Sequence, residues 1–357
     1  MATTRGWSGQ GAAKLRLLVI LALPILILEA SSLAEMPVLP SANYQMQPSI
    51  AGDWVGWLDG WTSTHDTVAV TVYNLRTNET ISLATCTFPT MAQGPSFSGQ
   101  TVAWRDNRNG DYDVWGYDLS TRQEFSICQA AGWQVAVSAG GGMVVWEDLR
   151  NSSGNEHDIY GYDLQGRREL TICTFGGDQL NPVTNGRYVV WQDGCNRPGT
   201  EWDIYGYDVS TGQRFPICTQ RSQQVAPAIS ENYVVWADAR AGGHFGIYGY
   251  DLRTGQEFPI STGTATRQSP SIDGDTVVWM DYRNGNCEIY GYDIGTQQEF
   301  VVSAGVHVRS APKIRGQTVI WLDDRTGTPQ LWMTTIPEPA SITLLTVGCL
   351  ALVRRRR

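Results

Sequence analysis

The chain is poor in charge: Asp, Glu, Lys and Arg make up 17% of its 357 residues, and it holds four histidines. It contains no P-loop, no nucleophile elbow, no His-Glu-x-x-His and no Cys-x-x-Cys. No short signature therefore points to a phosphate cradle, a hydrolase serine, a zinc-peptidase helix or a thioredoxin-type redox pair. It also lacks a long apolar run. Leu17–Leu28 has 12 residues and Ala340–Val353 has 14, against the about 20 needed to span a bilayer. What it has in excess is glycine, at 38, and tryptophan, at 14. That balance fits a strand-rich globular protein with many tight turns rather than a disordered or coiled-coil chain.

The two ends read as targeting segments. Arg5, Lys14 and Arg16 form a basic region before the apolar Leu17–Leu28, and Ser32-Leu33-Ala34 places small residues at −3 and −1. This pattern predicts a signal peptide over residues 1–34, cleaved before Glu35. At the other end, Pro337-Glu338-Pro339 precedes the second apolar run and four arginines, Arg354 to Arg357. Residues 337–357 thus resemble the PEP-CTERM sorting signal. That resemblance implies handling by exosortase-type machinery at the envelope of a Gram-negative bacterium, with transient anchoring in the inner membrane. Export to the periplasm, envelope or exterior is expected. Without its ends the chain carries a net charge of about −15, which repels phosphate backbones and argues against nucleic acid as a partner.

Between the ends runs one repeat. Seven Trp-x-Asp elements occur: Trp57/Asp59, Trp104/Asp106, Trp146/Asp148, Trp191/Asp193, Trp236/Asp238, Trp279/Asp281 and Trp321/Asp323, spaced by 47, 42, 45, 45, 43 and 42 residues. A period of about 40–45 residues holding four strands is the mark of propeller blades. In the sixth copy these strands are Pro270-Ser-Ile, Thr276-Val-Val-Trp-Met, Glu288-Ile-Tyr-Gly-Tyr-Asp and Gln298-Glu-Phe-Val-Val, lettered a to d from the axis outward. The glycine turn after strand a, the Asp-x-Arg-x-Gly loop and the Ile-Tyr-x-x-Asp strand resemble the TolB-type, WD-like propeller repeat over residues 35–335. The predicted fold is an all-β, seven-bladed β-propeller of four-stranded blades. The seventh copy lacks strand d, whereas residues 35–50 align without a gap to 257–272, which include the strand d of copy five. Residues 35–39 are therefore expected to supply the missing strand and close the ring.

The repeated tryptophans are expected as blade anchors. Gly116, Gly161, Gly206, Gly249 and Gly291 recur on strand c, and a strand glycine points to a bulky side chain packed over it, here the repeat tryptophan. Each repeated Asp opens the b–c loop, usually with Arg two residues on (Arg108, Arg150, Arg240, Arg283, Arg325), and reads as a loop staple. The alternative is Ca²⁺, best placed at Asp106, Asn109, Asp111 and Asp113, although the spacing is not that of an EF-hand. His65, His157 and His244 in b–c loops and His307 in a d–a loop are expected as exposed residues. Cys128, Cys173 and Cys218 share one strand position, and neighbouring blades about 10 Å apart put them beyond disulfide reach. Cys86, Cys195 and Cys287 read as loop residues whose pairing stays open. The non-repeated Trp54, Trp61, Trp133 and Trp202 are candidates for sugar stacking.

No cofactor other than such a Ca²⁺ is expected. The pattern favours a monomeric, non-catalytic binding or scaffold protein whose partner is a surface protein or a polysaccharide. The alternative is a polysaccharide lyase or glycosidase, which would need two carboxylates, or a base and a metal, converging at the mouth.

Overall fold

The computed structural model describes residues 33–62, 65–87, 93–151, 156–195 and 201–337, with the side chains at 61, 62, 65, 66 and 87 excepted. Nearly all of the predicted signal peptide and sorting tail lies outside the described residues. Twenty-eight strands form seven four-stranded antiparallel sheets, and the described residues contain no helix.

Blade one is Tyr44–Ala51, Trp54–Thr62, His65–Asn74 and Thr80–Thr87. Blade two is Gln93–Ser98, Thr101–Asp106, Asp113–Asp118 and Gln123–Cys128. Blade three is Gln134–Gly140, Met143–Asp148, Asp158–Asp163 and Arg168–Cys173. Blade four is Gln179–Thr184, Tyr188–Asp193, Asp203–Asp208 and Gln213–Cys218. Blade five is Gln224–Ile229, Tyr233–Asp238, Gly246–Asp251 and Gln256–Ser261. Blade six is Arg267–Asp273, Thr276–Asp281, Glu288–Asp293 and Gln298–Ser303. Blade seven takes Arg309–Arg315, Thr318–Asp323 and Gln330–Thr335 from the end of the chain and Met36–Pro37 from its start. Met36 pairs with Met333 and Pro37 with Trp332, and Val38 N–H donates to Leu331 O at 2.8 Å. The ring is closed where the sequence places the closure.

Strand b is β-branched ahead of the tryptophan, as in Thr276-Val-Val-Trp, and is buried on both faces because blades cover each other. All seven repeat tryptophans are fully buried. Each packs onto the preceding blade: Trp146 against Ala103, Val114, Ile127 and Cys128 of blade two, and Trp236 against Val190, Ile204 and Ile217 of blade four. Trp57 packs on Ile320, Leu322 and Leu331 of blade seven and on Val38. Each such side chain removes about 150–250 Å² from water, so the seven interblade cores rather than any central core hold the ring.

The glycines of strand c face a different partner from the one expected. A Cβ at Gly116, Gly206, Gly249 or Gly291 would come within 2.6 Å of the ring of Phe125, Phe215, Phe258 or Phe300. These phenylalanines sit directly opposite on strand d. Cross-strand neighbours are only about 5 Å apart, so the ring of strand d lies over the glycine and the tryptophan has no part in it. At Gly161 the neighbours are Met143 and Val145, at 3.2 and 3.3 Å.

Candidate ligand-binding channel

The inner strands are not regular. In all seven the register shifts by a bulge around the second pair, for example between Leu180 and Val183 and between Gln268 and Ser271. Proline lies in six of the bulges (Pro48, Pro95, Pro182, Pro227, Pro270 and Pro312) and Val137 in that of blade three. Proline has no N–H to give a ladder, so a bulge is where an interior strand tolerates it. The residue before it takes a left-handed conformation in six blades: Gln47, Ala136, Asn181, Ala226, Ser269 and Ala311 have φ between 49° and 54°. A non-glycine residue there costs of order 1–3 kcal/mol and persists only where neighbours enforce it. Side chains of the preceding blade do so by accepting the bulge N–H groups. Gln47 Oε1 takes Gly94 N at 2.6 Å, Gln93 Oε1 takes Val137 N at 2.7 Å, Glu147 Oε1 takes Asn181 N at 2.6 Å, and Gln192 Oε1 takes Ala226 N at 2.8 Å. The early start of strand a, at Arg267 rather than Pro270, follows from the same bulge, which lets Arg267 and Gln268 pair ahead of the proline.

The bulges surround a cavity of about 830 Å³ lined by all seven inner strands, together with Arg105 and Glu147 of strands b. Arg105, Glu147 and Gln192 are the middle residues of their Trp-x-Asp elements. The same position holds Leu58, Ala237, Met280 and Leu322 elsewhere. Glu147 is buried and already engaged: Oε2 lies 2.7 Å from His157 Nδ1. That hydrogen bond raises the histidine above its usual range against the opposing effect of burial, with Asp178 adding to the rise. His157 is thus half-buried and paired, a correction to the expectation of an exposed loop histidine. His244 and His307 are exposed, and the side chain of His65 lies outside the described residues.

Two cations line the cavity and form no ion pair with a described residue. Arg105 makes no hydrogen bond or ion pair with a described residue, and its Nε is buried without a partner. Its guanidinium stacks on the Tyr112 ring at 4.6 Å, and burial pulls it below its usual range. Lys313 follows the proline of blade seven and is one of two lysines in the chain. Water reaches it, yet protein surrounds it, and this desolvation alone pulls its ammonium below the usual lysine range. From Arg105 an aromatic path leads outward. Tyr112 meets Trp133 edge-on at 5.5 Å, and Trp133 is 53% exposed. Phe175, in the next d–a loop, is also exposed. Among the other non-repeated tryptophans, Trp54 packs against the core around Val72, Phe97 and Val102, and Trp202 is half-buried.

The repeated aspartates point elsewhere. In blades two to seven the Trp Nε1 donates to Asp Oδ2 at 2.8–3.3 Å. Where Arg stands two residues on, its backbone N–H donates to Asp Oδ1 at 2.8–3.1 Å. The oxygens of Asp106 are taken in this way by Trp104 and Arg108, while Asn109 Nδ2 donates to Asp113 Oδ2 at 3.1 Å. No group of three metal-ligating side chains occurs among the described residues. Cys86 lies on strand d of blade one rather than in a loop, and all six described cysteines are free. Burial pushes their thiols up, to about 11 for Cys86 and Cys173 and about 12 for Cys128, Cys195 and Cys218, so they stay protonated and poorly nucleophilic at neutral pH.

No protein-family model matches the chain, and no curated protein matches it significantly. Solved structures do. The β-propeller domain of the Trilobed protease from Pyrococcus furiosus aligns with TM-score 0.65 at 14% identity over 82% of this chain and 93% of its own. An oligogalacturonate lyase in complex with manganese aligns with TM-score 0.61 at 14% identity over 87% and 95%. TolB from Acinetobacter baumannii aligns with TM-score 0.52 at 15% identity over 74% and 67%. The chain spans about half the length, 51%, of an acylaminoacyl peptidase from Pyrococcus horikoshii. At such identities these likenesses concern the fold alone: the chain is a seven-bladed β-propeller, similar in fold to these structures.

Proposed function

We propose that this is an exported, non-catalytic binding protein of the cell envelope or extracellular matrix, whose channel mouth takes an acidic polysaccharide. One observation carries the reading: Arg105 and Lys313 line the channel of an acidic protein, and no carboxylate of the described residues pairs with either. The Arg105 guanidinium is half-buried with its Nε enclosed and unpartnered, a costly state for a charge, and a bound carboxylate would supply the missing partner. Trp133, exposed and joined to Arg105 through the Tyr112 ring, offers a flat face on which a sugar ring stacks. Export and sorting rest on the terminal segments, where fractionation of a variant lacking residues 337–357 is the test. Location and amount equal to the full chain would refute the sorting reading.

The binding test is titration with polygalacturonate and with neutral dextran. Preference for the acidic polymer, lost in Arg105→Ala and Lys313→Ala, is expected; equal affinity for both polymers would sink the proposal. The enzyme alternative draws on the 2.7 Å Glu147–His157 contact. Yet Glu147 is the only carboxylate among the described residues lining the cavity, so paired-carboxylate chemistry lacks its second group. Release of unsaturated oligouronides during the same titration would favour a lyase instead.

A further inference from the structure

In six blades one small assembly recurs. A guanidinium pairs with the buried Asp of Trp-x-Asp at 2.5–2.7 Å. The same guanidinium lies 3.9–4.2 Å from the centre of an aromatic ring on strand c. In blades two, three, five, six and seven the arginine comes from the b–c loop and also meets a strand-d glutamate: Glu124, Glu169, Glu257, Glu299 or, across the ring closure, Glu35. Blade four shows that the guanidinium is required rather than the position. There the loop residue is Cys195, and Arg214, standing where the other blades have the glutamate, reaches Asp193 at 2.6 Å and stacks on Tyr205 at 3.9 Å.

Blade one has the aspartate but, among the described residues, no guanidinium to meet it. The loop position is Trp61, the strand-d position is Thr80, and Thr71 stands opposite Trp57 where blade two pairs Trp104 with Trp115. Trp57 is fully buried and its Nε1, which in the six other blades bonds the aspartate, has no hydrogen-bond partner. Asp59 instead accepts from Ser41 Oγ at 3.3 Å. Where the arginine and ring lie elsewhere, blade one has a cavity of about 340 Å³ lined by Asn43, Asp59, Thr67, Thr71, Ser82 and Thr85, with Gly60, Ala69 and Thr80 completing it. This is at the small end of ligand pockets: room for a side chain, too small for a polymer.

We infer that this slot binds a guanidinium group from another molecule, an arginine side chain or a small guanidino compound, which pairs with Asp59 as the six internal arginines pair with their aspartates. The threonine and serine hydroxyls on strands c and d stand where glutamate and aromatic ring stand elsewhere, and they accept the remaining N–H groups. Arginine fits such a fork better than lysine, whose ammonium is a point charge.

The test titrates the full-length protein with acetyl-arginine amide, acetyl-lysine amide and the peptide Ala-Arg-Ala, followed by calorimetry and thermal melting. Saturable binding of the arginine probes, at least about tenfold tighter than the lysine probe, is expected. Binding of both arginine probes indicates an arginine borne by a protein, and binding of the amide alone a small guanidino compound; either upholds the slot. Thr80→Arg copies blade four and fills the slot from within, so it should abolish binding and raise the melting temperature. Asp59→Asn should weaken binding at least about tenfold. Failure of both arginine probes to bind, or binding to Thr80→Arg as tight as to the wild type, would overturn the slot. Because Thr80→Arg is expected to be the more stable protein, it decides the matter even where Asp59→Asn folds poorly.

Discussion

Asp238 is fully buried and holds three donors together: Trp236 Nε1 at 3.0 Å, Arg240 N at 2.8 Å and the Arg240 guanidinium at 2.5 Å. Asp238→Ala leaves a buried indole N–H, a loop N–H and a guanidinium short of their acceptor, at a cost of about 1–3 kcal/mol by denaturant unfolding. A chelator should leave wild-type melting unchanged, because these oxygens serve arginine and tryptophan; a chelator-induced drop would point to Ca²⁺ in the loops. The Glu147–His157 contact gives a second, pH-dependent expectation. Its histidine is raised above 6.5 by the hydrogen bond to Glu147. A raised histidine contributes fully below the unfolded value and loses that contribution as pH rises through the folded value. His157→Gln should therefore destabilise most near about pH 5.5, and the difference should shrink above about pH 8. A difference that grows with pH would show that the imidazole is bound neutral.

At the scale of the element, the outer strand of blade seven is two residues long, yet it joins residues some three hundred positions apart. It is reinforced by Gln45 Oε1 accepting Leu331 N at 2.6 Å, by Arg325 pairing with Glu35 at 2.6 Å and by Val38 packing on the Trp57 core. Deleting residues 33–39 should lower the melting temperature by several degrees, about 2–4 °C for each kcal/mol lost in a domain of this size. Glu35→Ala alone should cost little, as partly exposed ion pairs do. An unchanged melt after the deletion would show a ring held without its clasp. This closure was legible because a repeat leaves a vacancy that only one other segment fits, and strand b because Thr-Val-Val-Trp has no other home than a sheet covered on both faces. The Phe125 contact with Gly116 was not legible, since cross-strand partners follow from register. Nor were Arg105, Glu147 and Lys313. Each departs from the repeat at a position whose exposure to the channel depends on the bulges, and the traces in sequence are that the residue between Trp and Asp varies in polarity and that a lysine follows the proline in blade seven.

The whole molecule sets two fields against each other. The chain carries −9 overall, while its channel presents Arg105 and Lys313, neither ion-paired with a described residue, and Glu147 already committed to His157. An acidic polymer approaching from solution meets repulsion first and attraction only at the mouth. Salt screens the two unequally: at about 0.1 M the Debye length is near 10 Å, so the long-range surface field is damped while contacts inside a walled channel persist. Steered complexes lose association rate as salt rises; here the opposite is expected. Between about 10 and 150 mM salt the association rate for polygalacturonate should rise and the dissociation rate should change less. Lys313 gives a direct readout of occupancy. Lys313 is exposed within the channel, so an amine-acylating reagent should reach it, and Lys14 is the only other lysine in the chain. Bound polyuronate pairs with the ammonium and covers it, so acylation measured by mass spectrometry should fall as the polymer saturates. Acylation of Lys313 that proceeds at the same rate with and without saturating polymer would place the binding surface away from the channel.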